Sequence, residues 1–187
     1  TMLRTHMTAN ERQLLLQGYR SFLMAGNVFR RDEIDSTHYP VFHQLEGVYV
    51  LGGPQESTKL SDLSPADVLD DKQPTYGDTE TLAVIGHLQY VLNGLLKHLF
   101  GSSIQYRWQP CYFPFTKPSL EVEIFHQGKW IEVLGSGLLQ SSFLEGSGLA
   151  KGSIAWAFGL GLERLAMILY DIPDIRLFWS KDPRFKS

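Results

Sequence analysis

The run Phe29-Arg30-Arg31-Asp32-Glu33, continuing through Ile34-Asp35-Ser36-Thr37-His38-Tyr39-Pro40 to Phe42-His43-Gln44-Leu45-Glu46-Gly47, decides the reading of this chain. Val28-Phe29-Arg30 and Phe42 to Leu51 are strand-like, and the residues between them are polar turn formers closed by a proline. Such residues end strands and turn the chain, so the run predicts strand, long hairpin loop, strand. Alternation with period 2 places Gln44 and Glu46 on one face of the second strand. Arg30 offers a planar fork of donors that matches phosphate oxygens, and Glu46 can accept from an ammonium group. Far downstream, Gly159-Leu160-Gly161-Leu162-Glu163-Arg164 sets a second arginine beside glycine-bearing backbone. Together the two stretches read as a site for a phosphate and an amine.

Outward from these stretches, Thr8 with Glu11 three residues later forms a capping-box pattern ahead of Leu14, Leu15, Tyr19, Phe22 and Leu23. It predicts a helix that ends at Gly26. Residues 52–78 are rich in Asp, Ser, Pro, Gly and Lys, and predict a surface insertion with at most a short helix. From Thr79 to Phe100 the apolar residues Leu82, Ile85, Leu88, Val91, Leu92, Leu95, Leu96 and Leu99 keep helical spacing, with Gly101 as the stop. This is the longest helix expected. Ile104 to Trp108 predicts a short strand, and Leu120 to Phe125 with Lys129 to Leu134 a hairpin about His126-Gln127-Gly128. Glu121 and Glu123 share a face of its first strand, and Glu132 lies on its second. Gly135 to Gly152 reads as a Gly/Ser-rich loop. Ala155 to Phe158 reads as a strand leading into a helix that carries Leu162, Leu165, Ala166, Ile168 and Leu169. Hairpin connections dominate, so the fold class expected is α+β, an antiparallel sheet flanked by helices.

With 187 residues, 43% of them hydrophobic, the chain suits a single domain with a sizeable core. Its 17 basic and 20 acidic side chains, net −3, exclude a broad basic surface for non-specific nucleic-acid binding. The lone cysteine, Cys111, rules out an internal disulfide or a Cys-x-x-Cys metal site, and points to a zinc-free intracellular protein. No apolar run approaches the roughly 18 residues needed to span a bilayer, so no membrane association is expected.

Plainer readings compete. The charges at residues 30–33 could be a solvated strand edge. Gly159-x-Gly161-x-x-Arg164 partly matches a dinucleotide fingerprint, but arginine replaces the third glycine and no parallel βαβ unit follows. Phe113 and Phe115 could be ordinary core residues, and Thr8 and Glu11 only a helix cap. His6, His43, His87 and His98 read as packing or surface residues.

Taken in order, the run Phe29 to Gly47 resembles motif 2 of class II phenylalanyl-tRNA synthetases, and Cys111-Tyr112-Phe113-Pro114-Phe115 resembles their amino-acid pocket. Trp156-Ala157-Phe158-Gly159-Leu160-Gly161-Leu162-Glu163-Arg164 resembles motif 3. The likeness is to the monomeric mitochondrial type, covers nearly all of 1–187 as one catalytic core, and leaves out mainly the 52–78 insertion. It implies attack of the phenylalanine carboxylate on the α-phosphate of ATP, then transfer of the acyl group to tRNA(Phe). The cofactor implied is ATP with Mg²⁺. The resemblance makes Arg30, Arg164 and His38 the catalytic candidates, with Glu132 on the metal side and Glu123 behind it. Thr8, Ala9, Asn10, Glu11, Thr37, Tyr39, Gln44, Leu45, Glu46, Phe113, Phe115, Ala157 and Phe158 join them as substrate and ATP contacts. It further implies a monomer in the mitochondrial matrix or another organelle. Motif 1 is expected upstream of Thr1, and an anticodon-binding domain beyond Ser187.

The sequence departs from the family at Met7-Thr8, where Thr-Ser is usual, at Glu11, usually glutamine, and at Ala155, usually glycine. A charged Glu11 would repel a substrate carboxylate. These departures keep a second expectation alive, a synthetase-derived paralogue that binds phenylalanine, ATP or a protein partner without turnover. A third is ATP-dependent ligation of another amine.

Overall fold

The computed structural model describes residues 2–51, 79–149 and 153–183. The expected 52–78 insertion lies outside them. A 3-10 turn, Met7–Asn10, leads into α1 (Glu11–Leu16), followed by strands β1 (Ser21–Phe29) and β2 (Val41–Leu51). After α2 (Thr79–Phe100) come β3 (Tyr106–Cys111), β4 (Thr116–His126) and β5 (Lys129–Leu139). The short α3 (Ser141–Leu144), β6 (Ile154–Gly161), α4 (Leu162–Leu169) and a 3-10 segment, Ile175–Trp179, complete the order.

The α4 helix thus runs Leu162–Leu169, directly out of β6.

The strands form one six-stranded sheet in the order β1-β2-β6-β5-β4-β3, antiparallel at every step. One face is covered by α2. Its side chains Val84, Ile85, Leu88, Leu92 and Leu96 pack against Leu120, Val122, Ile124, Leu134, Trp156, Phe158 and Leu160 of the sheet. Complete burial of a leucine or isoleucine contributes about 1.5–3 kcal/mol, which makes α2 the main clamp on this face. Trp156 donates from Nε1 to His87 Nδ1 at 3.0 Å, and burial pulls the His87 pKa down, which keeps its ring a neutral acceptor. The opposite face carries a smaller core, Leu15, Val48, Val50, Leu139, Leu144, Ala155 and Ala157, and among the described residues the sheet beside it is left open.

Four expectations need correction. The helix expected to run to Gly26 stops at Leu16, because Gly18 turns the chain at φ +95° and Ser21–Phe29 pairs with β2 as an edge strand. The capping box does not form: Asn10 is the N-cap and makes no side-chain cap bond, while Thr8 Oγ1 donates to Glu46 Oε2 at 3.2 Å. The strand expected at Ile104 to Trp108 lies at Tyr106–Cys111. The loop expected from Gly135 begins only after β5 reaches Leu139. There Gly135 and Gly137 serve close packing, since a Cβ would stand 2.6 Å from Phe113 Cζ at the first and 2.4 Å from the Pro118 carbonyl at the second.

Candidate active site

The open part of the sheet's second face holds a cavity of about 300 Å³. Strand β2 supplies its floor through Gln44 and Glu46, and β6 through Ala157, Gly159 and Gly161. The alternation that aims Gln44 and Glu46 at one face is the one read from the sequence. Gly159 leaves them room, because a Cβ there would lie 2.9 Å from Gln44 Nε2 and make that side chain shift.

One end of the cavity is acidic and closed. Glu11 and Glu46 are each only 1% exposed. Burial, then the Glu46 charge, then a hydrogen bond with the Glu46 side chain push the Glu11 carboxyl up to about 9. His6 Nδ1 comes within 2.6 Å of Glu46 Oε1, and Gln44 Oε1 accepts from the Met7 N–H at 3.3 Å. The turn Met7–Asn10 is thereby fastened to β2, and Glu11 is carried down into the sheet.

The aromatic wall is built by the chain between β3 and β4. The rings of Phe113 and Phe115 lie 6.1 Å apart and nearly parallel, and His6 tilts against Phe115 at 5.0 Å. Three hydrogen bonds pin this wall: Ser119 Oγ accepts from the Phe113 N–H, the Phe115 carbonyl from the Gln140 N–H, and the Pro114 carbonyl from Gln140 Nε2.

The other end is basic. Arg30 is held at the base of the β1–β2 loop by Nε donating to the Thr5 carbonyl at 3.2 Å and by its guanidinium 5.0 Å above the Phe42 ring. No ion pair engages Arg30 among the described residues. Arg164 on α4 donates to the Glu132 carbonyl at 3.2 Å and lies 3.8 Å from Glu132 Oε2. Glu132 faces the cavity because of a register shift between Val122 and Glu123 that leaves Val133 without a partner on β4. Such a bulge re-aims the side chains beyond it. In the loop, Asp35 accepts from the Thr37 and His38 backbone N–H groups, and its carboxylate stands 3.0 Å from the His38 ring; these bonds hold the Asp35 pKa low. Tyr39 stacks on Trp179, and the Ile175 N–H donates to the Ser36 carbonyl, so the final 3-10 segment braces the loop.

Of the residues predicted from sequence, Thr8, Glu11, Arg30, Thr37, His38, Tyr39, Gln44, Glu46, Phe113, Phe115, Glu132, Ala157, Phe158 and Arg164 line this one cavity. Ala9, Asn10 and Leu45 do not. Asn10 Oδ1 accepts from Arg4, and Leu45 packs into the core on the other face. Glu123 pairs with Arg107 at 2.5 Å instead. His6, read as a packing or surface residue, is corrected to a lining residue, whereas His43 and His87 do pack, against Trp179 and Trp156. Sequence reasoning also passed over Glu163, Gly135 and Thr116, which line the cavity as well. A signal existed for Gly135: it begins Gly135-Ser136-Gly137, small residues alternating on a strand.

The profile of the family described as tRNA synthetases class II core domain (F) matches residues 1–63 and 74–187. The chain is 49% identical over 190 residues to the mitochondrial phenylalanine–tRNA ligase of Rattus norvegicus, covering 98% of this chain and 40% of that protein. It is 50% identical over 187 residues to the chloroplastic/mitochondrial phenylalanine–tRNA ligase of Arabidopsis thaliana, covering 100% and 39%. With the phenylalanine–tRNA ligase alpha subunit of Moorella thermoacetica the identity is 35% over 206 residues, covering 98% and 50%. The chain thus spans about two fifths of the length of the mitochondrial relatives it matches. The antiparallel sheet, the cavity at its open face and the profile match agree: this chain belongs to the family of class II tRNA synthetase core domains (F).

Proposed function

We propose that this chain is the catalytic core of a phenylalanine–tRNA ligase, which activates L-phenylalanine with ATP and passes it to tRNA(Phe), in mitochondria or another organelle as the names of its relatives indicate. The observation that carries the proposal is the polarity of the cavity: buried carboxylates at one end, a phenylalanine-lined wall between, and two arginines at the other. A zwitterionic aromatic amino acid fits that order, with its ammonium at Glu46 and its ring against Phe113 and Phe115, where edge-to-face or offset contact is favourable. Its carboxylate then points toward the arginines.

A carboxylate is ionised at neutral pH and needs no base to attack phosphorus. The chain must align it and stabilise charge, which Arg30 does at the α-phosphate and Arg164 at the outer phosphates. His38 adds a donor from the loop. Glu132 fits Mg²⁺: it is a half-exposed carboxylate turned into the cavity by the bulge, and Mg²⁺ takes one or two carboxylates with phosphates and water. Bound there, Mg²⁺ would neutralise phosphate charge. Thr8, Gln44 and Ala157 line the amino-acid end, and Thr37, Tyr39 and Phe158 the nucleotide side.

The test is trapping of the adenylate. Incubated with phenylalanine, ATP, Mg²⁺ and hydroxylamine, the folded chain should yield phenylalanyl hydroxamate, and none with leucine. A folded chain that yields none contradicts the proposal and favours a binding paralogue.

A further inference from the structure

Glu11 and Glu46 are the two most deeply buried acidic side chains of the cavity, both 1% exposed, and each has an oxygen with no hydrogen-bond partner, Glu11 Oε2 and Glu46 Oε1. Buried polar atoms are rarely left in that state, and a pair of buried carboxylates cannot both carry charge cheaply. Among the described residues no Lys or Arg compensates them. Arg4 turns to Asn10 Oδ1 and the Asn27 carbonyl, Arg12 reaches toward Gly146, and Arg30 binds the Thr5 carbonyl. β6 and the stretch 113–115 present no charged side chain. Among the described residues the one other titratable group against the pair is His6, whose Nδ1 approaches Glu46 Oε1 to 2.6 Å but out of line for a hydrogen bond.

We propose that Glu11 holds a proton in the ligand-free protein and releases it to solvent when an amino acid's ammonium group docks against Glu46, so that substrate binding is an exchange of proton for ammonium. The inference rests on the amine end assigned above. An ammonium brings three N–H donors to a place where two buried oxygens have none. It also brings the positive charge that the pair lacks. At about 4 Å and an effective dielectric near 20, that charge makes a neighbouring carboxyl roughly a thousandfold more acidic. From a starting value of about 9, this is enough to empty Glu11 of its proton near neutral pH. The atoms balance: the O–H bond of Glu11 breaks, the proton goes to buffer, and the ammonium keeps all of its own. Glu11 is thereby a specificity-determining residue, because a ligand without a cationic amine cannot expel the proton.

The test is calorimetric titration at pH 7.0 in phosphate and in Tris, whose ionisation enthalpies differ, so that the difference in heat counts protons released. Phenylalanine should release about one proton per molecule bound, phenylalaninol the same, and 3-phenylpropionate none. Phenylalanine bound to Glu11→Gln should release almost no proton, because the amide holds none to give. His6→Asn should keep the release. Phenylalanine binding with no buffer dependence, or release that disappears with His6→Asn and persists in Glu11→Gln, overturns the proposal. The comparison of the three ligands on the unaltered protein decides it even if a variant misfolds. Failure here with hydroxamate still formed leaves the activity standing; absence of binding by phenylalanine and phenylalaninol, with no hydroxamate, overturns both.

Discussion

Glu163 on α4 and His43 on β2 are joined three ways across 120 residues of sequence: the Glu163 carboxylate accepts from the His43 backbone N–H at 2.9 and 3.1 Å and lies 2.5 Å from His43 Nδ1. The next residues along are Gln44 and Arg164, so this lock sets the amine end and one arginine in fixed relation. Glu163 is 6% exposed. Its removal in Glu163→Ala leaves a backbone N–H without its acceptor, a loss of about 1–3 kcal/mol. Denaturant unfolding should show that loss, and hydroxamate formation should fall with it. Glu163→Gln retains an acceptor and should lose less on both counts.

Phe113 can be moved through its neighbour Gly135. A methyl at Gly135 would stand 2.6 Å from Phe113 Cζ, so Gly135→Ala must displace that ring of the cavity wall. A displacement near 1 Å in a positioned site costs on the order of 100-fold. Steady-state kinetics should show it as a raised KM for phenylalanine, with the KM for ATP little changed.

The wall of Phe113, Phe115 and Ala157 presents no side-chain partner for a ring hydroxyl. A hydrophobic pocket rejects an added hydroxyl by only about 100-fold, so tyrosine should be activated detectably. Discrimination against tyrosine above roughly 10,000-fold in pyrophosphate exchange would contradict this account of the wall.

The pH dependence of stability has a definite sign. Glu11 has a folded-state pKa raised from 4.5 to about 9, so between these values the folded chain binds a proton that the unfolded chain does not. Its contribution is therefore complete below about 4.5 and declines as pH rises toward 9. Thermal melts across this window should show the decline, and Glu11→Gln should flatten it.

Periodicity made much of the fold legible. The apolar spacing of Thr79–Phe100, the hairpin turn at Gln127-Gly128 and the passage from β6 into α4 are local signals that tertiary packing reinforces. Phe22 and Leu23 misled because apolar residues ahead of a glycine fit a helix as well as an edge strand, and only pairing with Val48 and Gly47 decides between them. Gly135 and Gly137 have loop composition, yet their smallness serves the approach of Phe113, Thr116 and Pro118 from β4 and the stretch before it. Glu11 fitted a capping box, and no local pattern foretells that Glu46 lies across from it in the cavity. The bulge that turns Glu132 inward is likewise a property of pairing.

The central claim is that Arg30 and Arg164 serve one adenylation site whose amino acid is phenylalanine. Phenylalanine-dependent ATP–pyrophosphate exchange, measured with Mg²⁺ on the unaltered chain and on Arg30→Ala and Arg164→Ala, tests it most directly. The account predicts exchange in the unaltered chain and a loss of about 100-fold to 1,000-fold in each variant, the range for removing one preorganised charge-stabilising donor. Exchange absent from the folded unaltered chain, or undiminished in both variants, would contradict it.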